Sequence, residues 1–276
     1  MQTKIKNILL IYKESHKQAK ELGSVISRWL ENKGYNIVLI EAGKQNKEYK
    51  KKYNLIIVLG GDGTMLGVAR NFVGKHVPLL GINFGKVGFL TEAQVTNWQE
   101  KLDNYLSGKI DIKKTLCLSW QIERNNKKID SGYAINDVVI SRGSLARLVC
   151  VDIKINDANI GLLRSDGLII SSSIGSSGYN ISSGGPLISL DLEVMSLTPI
   201  CPFLKTISPM IFDGNTIIKM VIEKGSTDCY LTSDGQEGQL LQTGDILTVC
   251  GIKDAVYLVF EDLLYFERLK ARGLLS

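Results

Sequence analysis

The chain is 276 residues long, which at about 150 residues per domain suggests roughly two domains. Its residues are 44% apolar and 22% charged, a mix that excludes a disordered chain, because disorder needs low hydrophobicity with high net charge. The net charge of +5 suits a protein that handles phosphates but is too small and dispersed for a nucleic-acid binder.

The first stretch, MQTKIKNILLIYKES, has a short apolar core and no small-residue cleavage site, so it reads as a first strand and not a signal peptide. Asn7 to Tyr12 is that strand. Ala19, Leu22, Val25, Ile26, Trp29 and Leu30 then recur at three- and four-residue steps and share one helix face, and Gly34 stops the helix. Asn36 to Glu41 is a second strand. Lys44 to Lys52 reads as a flexible charged loop. Leu55 to Leu59 is a continuous apolar strand of the kind found inside a parallel sheet. Thr64 to Phe72 is helical and Pro78 to Asn83 is another strand. This alternation argues for an α/β domain over residues 1–108, Rossmann-like or phosphofructokinase-like.

From Leu116 to Phe260 the pattern changes to short period-two runs separated by turn residues, as in Val149, Val151, Ile153 and Ile155 before Asn156-Asp157. These spacings predict a mainly β, sandwich-like domain over 109–260. The tail, 261–276, is expected to form a helix that packs back on the first domain. The serine-rich segment Ser171 to Ser183 follows a strand and contains Tyr179, so it reads as an ordered loop and not a linker. The longest apolar runs have strand length and fall short of the ~20 residues a bilayer requires. Five scattered cysteines without a C-x-x-C pair argue for reduced thiols in the cytoplasm, against a disulfide framework or a structural zinc site. With only His16 and His76, a histidine metal cage or a Ser-His-Asp triad lacks material.

The sharpest motif is Gly60-Gly61-Asp62-Gly63-Thr64, directly after the buried strand and before a helix. Ligands of open α/β sheets bind outside the carboxyl ends of strands, and a helix N-terminus favours anions. Gly60, Gly61, Gly63 and Thr64 therefore suit a phosphate donor. Asp62 would repel a phosphate, which makes sense if it meets a hydroxyl or a metal ion; capping the helix is its plainer role. The loop matches neither G-x-G-x-x-G nor G-x-x-x-x-G-K-[ST]. Gly81 to Leu90 should lie beside it, with Phe89 either packing on a planar ring or filling a hydrophobic interior. Asn136-Asp137 can match an adenine edge or ribose hydroxyls, or be ordinary turn chemistry. The Ser171 to Gly185 loop offers a neutral cradle of N–H and hydroxyl groups, to which Arg147 and Arg164 could add cations. Ser233-Asp234-Gly235-Gln236 looks first like a hairpin turn.

Taken together, GGDGT, G-x-N-x-G-x-x-GFL-T-E, ND-V-V-I, DG-L-I-x-S with G-S-S-x-Y-x-x-S-x-GGP, LTPICP and DGQ occur in the order found in the NAD kinase family. The chain resembles that family from about Ile8 past Ile252. GGDGT alone is shared with diacylglycerol and sphingosine kinases, but the Gly81 to Leu90 segment points to NAD kinases. The resemblance implies transfer of a phosphoryl group from ATP or polyphosphate to the 2′-hydroxyl of the adenosine ribose of NAD, giving NADP. It implies Mg²⁺ or another divalent cation arriving with ATP, since no carboxylate cluster makes a metal site. It also implies a homodimer or homotetramer. By position, Asp62 becomes the catalytic proton acceptor and an NAD contact. The other implied NAD contacts are Gly63, Asn136, Asp137, Arg147, Arg164, Asp166, Ser177, Gly178, Tyr179, Ser182 and Gln236, with Phe89 beside them. Two alternatives share parts of the pattern: a lipid kinase with GGDGT, and a non-catalytic NAD-binding regulator. The chain departs from the family at Ser172 to Tyr179, where Thr-Pro-Thr-Gly-Ser-Thr-Ala-Tyr is usual, and at Phe203-Leu204, where His-Ser is common.

Overall fold

Parallel strands form where apolar β-branched residues run unbroken, and here four such runs build one sheet. The computed structural model describes residues 5–43, 46–85, 88–143, 147–204, 207–226 and 228–275. In chain order the first elements are β1 (Asn7–Tyr12), α1 (Lys17–Asn32), β2 (Asn36–Glu41), β3 (Leu55–Leu59), α2 (Asp62–Ala69), β4 (Pro78–Asn83), β5 (Ala93–Gln94) and α3 (Trp98–Leu106). They belong to a unit of residues 1–114 and 256–276. Strand order is β2-β1-β3-β4, all parallel, with β5 also parallel on β4. β3 and β4 are buried at every residue, as strands covered on both faces must be. The stripe of α1 that packs inward is Ala19, Gly23, Ile26 and Leu30, and His16 caps the helix by accepting from the Ala19 N–H at 3.1 Å. The order 2-1-3-4 places the topological switch between β1 and β3, so the loop leaving β3 opens at the crevice where such sheets bind ligands.

The charged stretch after β2 is not the plain solvated loop its lysines suggest. Lys47–Lys50 forms a helical turn, and Tyr49 is buried with its ring edge-on to Phe72 at 5.6 Å. Lys75 donates to the Tyr49 carbonyl. An isolated aromatic among lysines is enough to pin the segment. Lys44 and Gln45 lie outside the described residues.

The second unit is residues 115–255. It holds most of β6 (Ile112–Arg124), β7 (Lys127–Ala134), β8 (Asp137–Arg142), β9 (Val149–Ile155), β10 (Ala158–Ser165), β11 (Gly167–Ser172), α4 (Tyr179–Ser182), β12 (Val194–Ile200), β13 (Met210–Asp213), β14 (Ile218–Ile222), β15 (Cys229–Ser233), β16 (Glu237–Leu241) and most of β17 (Ile246–Val259). One antiparallel layer runs β10-β9-β14-β17 with the β6-β7 hairpin attached, and the other runs β13-β12-β11-β8-β15-β16. A shared core of Val151, Ile153, Met220 and Leu247 with Val138, Ile140, Leu168, Leu197 and Leu231 fills the sandwich. The architecture is thus an α/β domain and a mainly β domain. The chain then returns to the first unit. There Tyr257 and Leu258 run parallel to Pro78 and Leu79, and α5 (Asp262–Ala271) follows. Among the described residues no helix is long and apolar enough to cross a membrane.

Candidate active site

Strand β3 ends at Leu59 and α2 begins at Asp62, so Gly60 and Gly61 make the whole connection. Gly60 donates its N–H to the Ile82 carbonyl at 3.0 Å. A Cβ there would lie 2.5 Å from Thr64 Oγ1, which is why the first loop position carries none. Gly61 is the N-cap residue and supplies no side-chain cap, so Asp62, in the first turn, does not close its own helix end. Its carboxylate reaches instead to the segment after β4. Oδ2 accepts the Phe89 N–H at 2.8 Å and Oδ1 the Leu90 N–H at 3.0 Å. A third donor, Arg272 Nη2 at the end of α5, stands 3.0 Å from Oδ2. Three of the carboxylate's roughly four lone-pair directions are thereby occupied.

Gly88 makes this grip feasible. A Cβ on it would sit 2.4 Å from both Asp62 Oδ1 and Thr91 Oγ1, and Thr91 Oγ1 is buried with no partner among the described residues. Phe89 is 5% exposed, with its ring edge-on to Tyr265 at 5.4 Å and the Arg272 guanidinium 5.3 Å from its centre. The structure thus gives Phe89 the interior position, and its backbone rather than its ring meets the carboxylate. Lys86 and Val87 of the same motif lie outside the described residues.

In the second unit the Asn136-Asp137 pair is built around another carboxylate. Asp234 and Gly235 both take positive φ, 51° and 63°, the pattern of a tight hairpin turn between β15 and β16. Asp234 then accepts backbone N–H bonds from Ile135 at 3.1 Å, Asn136 at 2.7 Å and Asp137 at 3.3 Å. The hairpin is therefore also the anchor of the pair. The serine loop closes on the same spot. Ser172 Oγ donates to the Ile135 carbonyl at 2.6 Å, and a Cβ on Gly175 would fall 2.1 Å from the Asn136 carbonyl oxygen. Asn136 Oδ1 is left buried without a partner among the described residues. Burial pushes the Asp137 carboxyl up to about 7, and the neighbouring Asp234 carboxylate pushes the same way.

The serine loop is ordered. Gly175–Ser177 forms a helical turn and Tyr179–Ser182 a short helix. Buried Asn180 staples it, accepting from Thr198 Oγ1 at 2.7 Å and Ser196 Oγ at 3.1 Å and donating to the Pro186 carbonyl at 2.8 Å. Where the family usually carries Pro, Ser173 instead donates its hydroxyl to the Leu192 carbonyl. Ser177 and Gly178 are half-buried, and Tyr179, Ser182, Gln236, Arg147 and Arg164 are exposed. Asp166 is paired with Arg142 at 3.0 Å. Motif reasoning singled out none of Arg142, Asn180, Arg268 and Arg272. A spacing of four on α5 could have marked the last two as sharing a face, but nothing local names their target.

Residues 41–110 match the family model described as the ATP-NAD kinase N-terminal domain, and residues 135–260 the one described as the ATP-NAD kinase C-terminal domain. An NAD kinase of Nitratidesulfovibrio vulgaris (strain DSM 19637 / Miyazaki F) is 40% identical over 287 aligned residues, spanning 100% of this chain and 99% of the relative. An NAD kinase of Lawsonia intracellularis is 38% identical, spanning 99% and 97%. Among solved structures, yeast NADH kinase complexed with NADH superposes with a TM-score of 0.87 at 21% identity, covering 99% of this chain and 88% of that one. An NAD kinase from Archaeoglobus fulgidus in complex with ATP gives 0.77 at 24% identity, covering 96% and 98%. At these identities the two structures speak for a shared fold alone.

Proposed function

The chain belongs to the NAD kinase family, and on that premise we propose how its residues carry the reaction. The enzyme transfers a phosphoryl group from ATP to the 2′-hydroxyl of the adenosine ribose of NAD, giving NADP. The observation that carries the assignment of roles is the Asp62 carboxylate, held still at the carboxyl end of β3 by the Phe89 and Leu90 N–H groups.

Phosphoryl transfer is mostly positioning and charge stabilisation. The ribose oxygen forms a bond to the γ-phosphorus while the bond to the ADP oxygen breaks and its electron pair leaves with ADP. The hydroxyl proton passes to Asp62. A carboxylate is a weak base for a ground-state alcohol, so Asp62 first orients the hydroxyl and accepts the proton late, as the O–P bond forms. Gly60, Gly61, Gly63 and Thr64, at the N-terminus of α2, take the donor phosphates. Asn136 and Asp137 bind the dinucleotide. Buried Asn136 Oδ1, with no partner among the described residues, supports that role. Ser177, Gly178, Tyr179, Ser182, Gln236, Arg147, Arg164 and Asp166 complete the set of contacts carried over from the family.

Among the described residues no group of three or more His, Cys, Asp or Glu side chains could hold a metal, and Asp62 is already engaged by three donors. The described residues therefore do not fit a resident divalent cation. Mg²⁺ belongs with the phosphates of the donor as part of the substrate. The enzyme is taken to act in the cytoplasm as a homodimer or homotetramer.

The test mixes purified protein with NAD, Mg²⁺ and either ATP or polyphosphate and reads the product with an NADP-specific dehydrogenase. NADP should form, and Asp62→Asn should lower turnover by about 10²- to 10⁴-fold while NAD still binds by calorimetry. NADP formation at a near-normal rate by Asp62→Asn would remove Asp62 from the role. NAD binding with no NADP from either donor would leave a non-catalytic regulator.

A further inference from the structure

An acid at the mouth of a phosphate-binding helix needs a cation to tolerate the substrate, and the fold delivers one from the far end of the chain. Helix α5 is locked to the segment that grips Asp62. Arg268, 5% exposed, donates Nη1 to the Phe89 carbonyl at 3.0 Å and Nη2 to Glu92 Oε2 at 2.9 Å. The Glu92 side chain is fully buried, and its other oxygen holds Lys101 at 3.1 Å, which also pairs with Glu261 at 2.9 Å. The helix ends in a defined cap. Gly273 takes a φ of 69°, and the Leu274 N–H returns to the Leu269 carbonyl at 2.9 Å. Arg272 stands on that cap, one turn after Arg268 and on the same face, so its position is set by buried contacts and not by a loose tail.

From there its guanidinium covers the Phe89 ring and gives one N–H to Asp62 Oδ2. Arginine carries five N–H donors. The rest of this guanidinium has no partner among the described residues, and the side chain is 44% exposed. A planar cation that touches the proton acceptor and presents spare donors suits the oxygens of a phosphoryl group in flight, where charge builds during transfer.

We propose that Arg272 is a further catalytic residue, which contacts the transferred phosphoryl group and offsets its charge against that of Asp62. The inference rests on Asp62 being the proton acceptor. A lysine in its place would keep the charge but not the fork, so Arg272→Lys and Arg272→Ala separate charge from geometry.

The experiment measures kcat and the KM values for NAD and ATP in both variants and in Asp62→Asn, with thermal melts of each. Arg272→Ala should lose about 100-fold in kcat, as expected for one preorganised donor at a developing charge, with the KM for NAD within about threefold. Its melting midpoint should stay near that of the parent, and guanidinium ion at a non-denaturing concentration should restore part of its turnover but none of that of Asp62→Asn. Arg272→Lys should fall between the two. A kcat within threefold of the parent in Arg272→Ala overturns the proposal, as does a loss that follows a lowered melting midpoint and ignores guanidinium. Inactive Asp62→Asn beside fully active Arg272→Ala removes the arginine inference alone. Active Asp62→Asn removes the acceptor role and with it the charge argument for Arg272.

Discussion

Replacing Asp137 by Asn should stabilise the protein, and more so as pH rises. Asp137 is 8% exposed, and burial together with the Asp234 carboxylate raises its carboxyl from an ordinary 3.8 to about 7. An acid whose native-state pKa is raised binds its proton more tightly folded than unfolded. Below 3.8 both states are protonated and the group is neutral to stability. Between 3.8 and 7 the unfolded chain ionises while the native carboxyl holds its proton, so stability is lost progressively. Above 7 both are ionised and the loss is complete, about 4 kcal/mol at 1.36 kcal/mol per unit. Asparagine keeps the shape and removes the titration. The variant's advantage over the parent should therefore widen by roughly 2 to 3 kcal/mol from pH 5 to pH 8 and then level off. In thermal melts that is a gap growing by roughly 5–10 °C. On the role proposed for Asp137 in holding the dinucleotide, the same change should weaken NAD binding, which would account for a costly carboxyl being kept there. A stability difference that does not vary between pH 5 and 8 would refute the linkage, because the two proteins differ in sequence at this carboxyl alone.

Two further substitutions probe the frame around Asp62. Gly88→Ala places a methyl 2.4 Å from both Asp62 Oδ1 and Thr91 Oγ1, so the carboxylate must move. Turnover in the NADP assay should fall at least about tenfold, up to about 10², the scale of a misplacement near 1 Å. Arg268→Leu takes the closest cation from the Glu92 Oε2 oxygen and leaves the buried carboxylate with Lys101 and the Glu261 N–H. Urea unfolding should show a loss of about 3 kcal/mol, and the double change Arg268→Leu with Glu92→Leu should recover much of it, since the lost partner and not the lost packing sets the cost.

What the sequence displays is what repeats at short range. The unbroken apolar run Leu55 to Leu59 announces a strand buried on both faces, and the glycines after it announce a turn at a carboxyl end. The Val149 to Ile155 alternation announces a strand with one buried face, and Asp234-Gly235 announces the hairpin between β15 and β16. Each signal lies within a handful of residues because pleat, turn and cap are local geometry. Motif order then carries the family, since six segments in sequence are far more specific than any of them alone.

The couplings that make the site work span greater distances. Asp234 meets Asn136 across 98 positions and Arg272 meets Asp62 across 210. No periodicity encodes such a pair. The register of the second sheet brings β8 and β15 side by side, and β17 carries α5 back to the first unit. This is also why Asp62 looks misplaced when only its own loop is read: five residues at the start of a helix proposed to take phosphates show an uncompensated negative charge. The compensating arginine is fixed by a buried Glu92–Arg268 pair and a helix cap, features that have meaning only once the sheet has formed. A motif can therefore nominate a candidate reacting group, while the cation that stands beside it is a property of the folded chain.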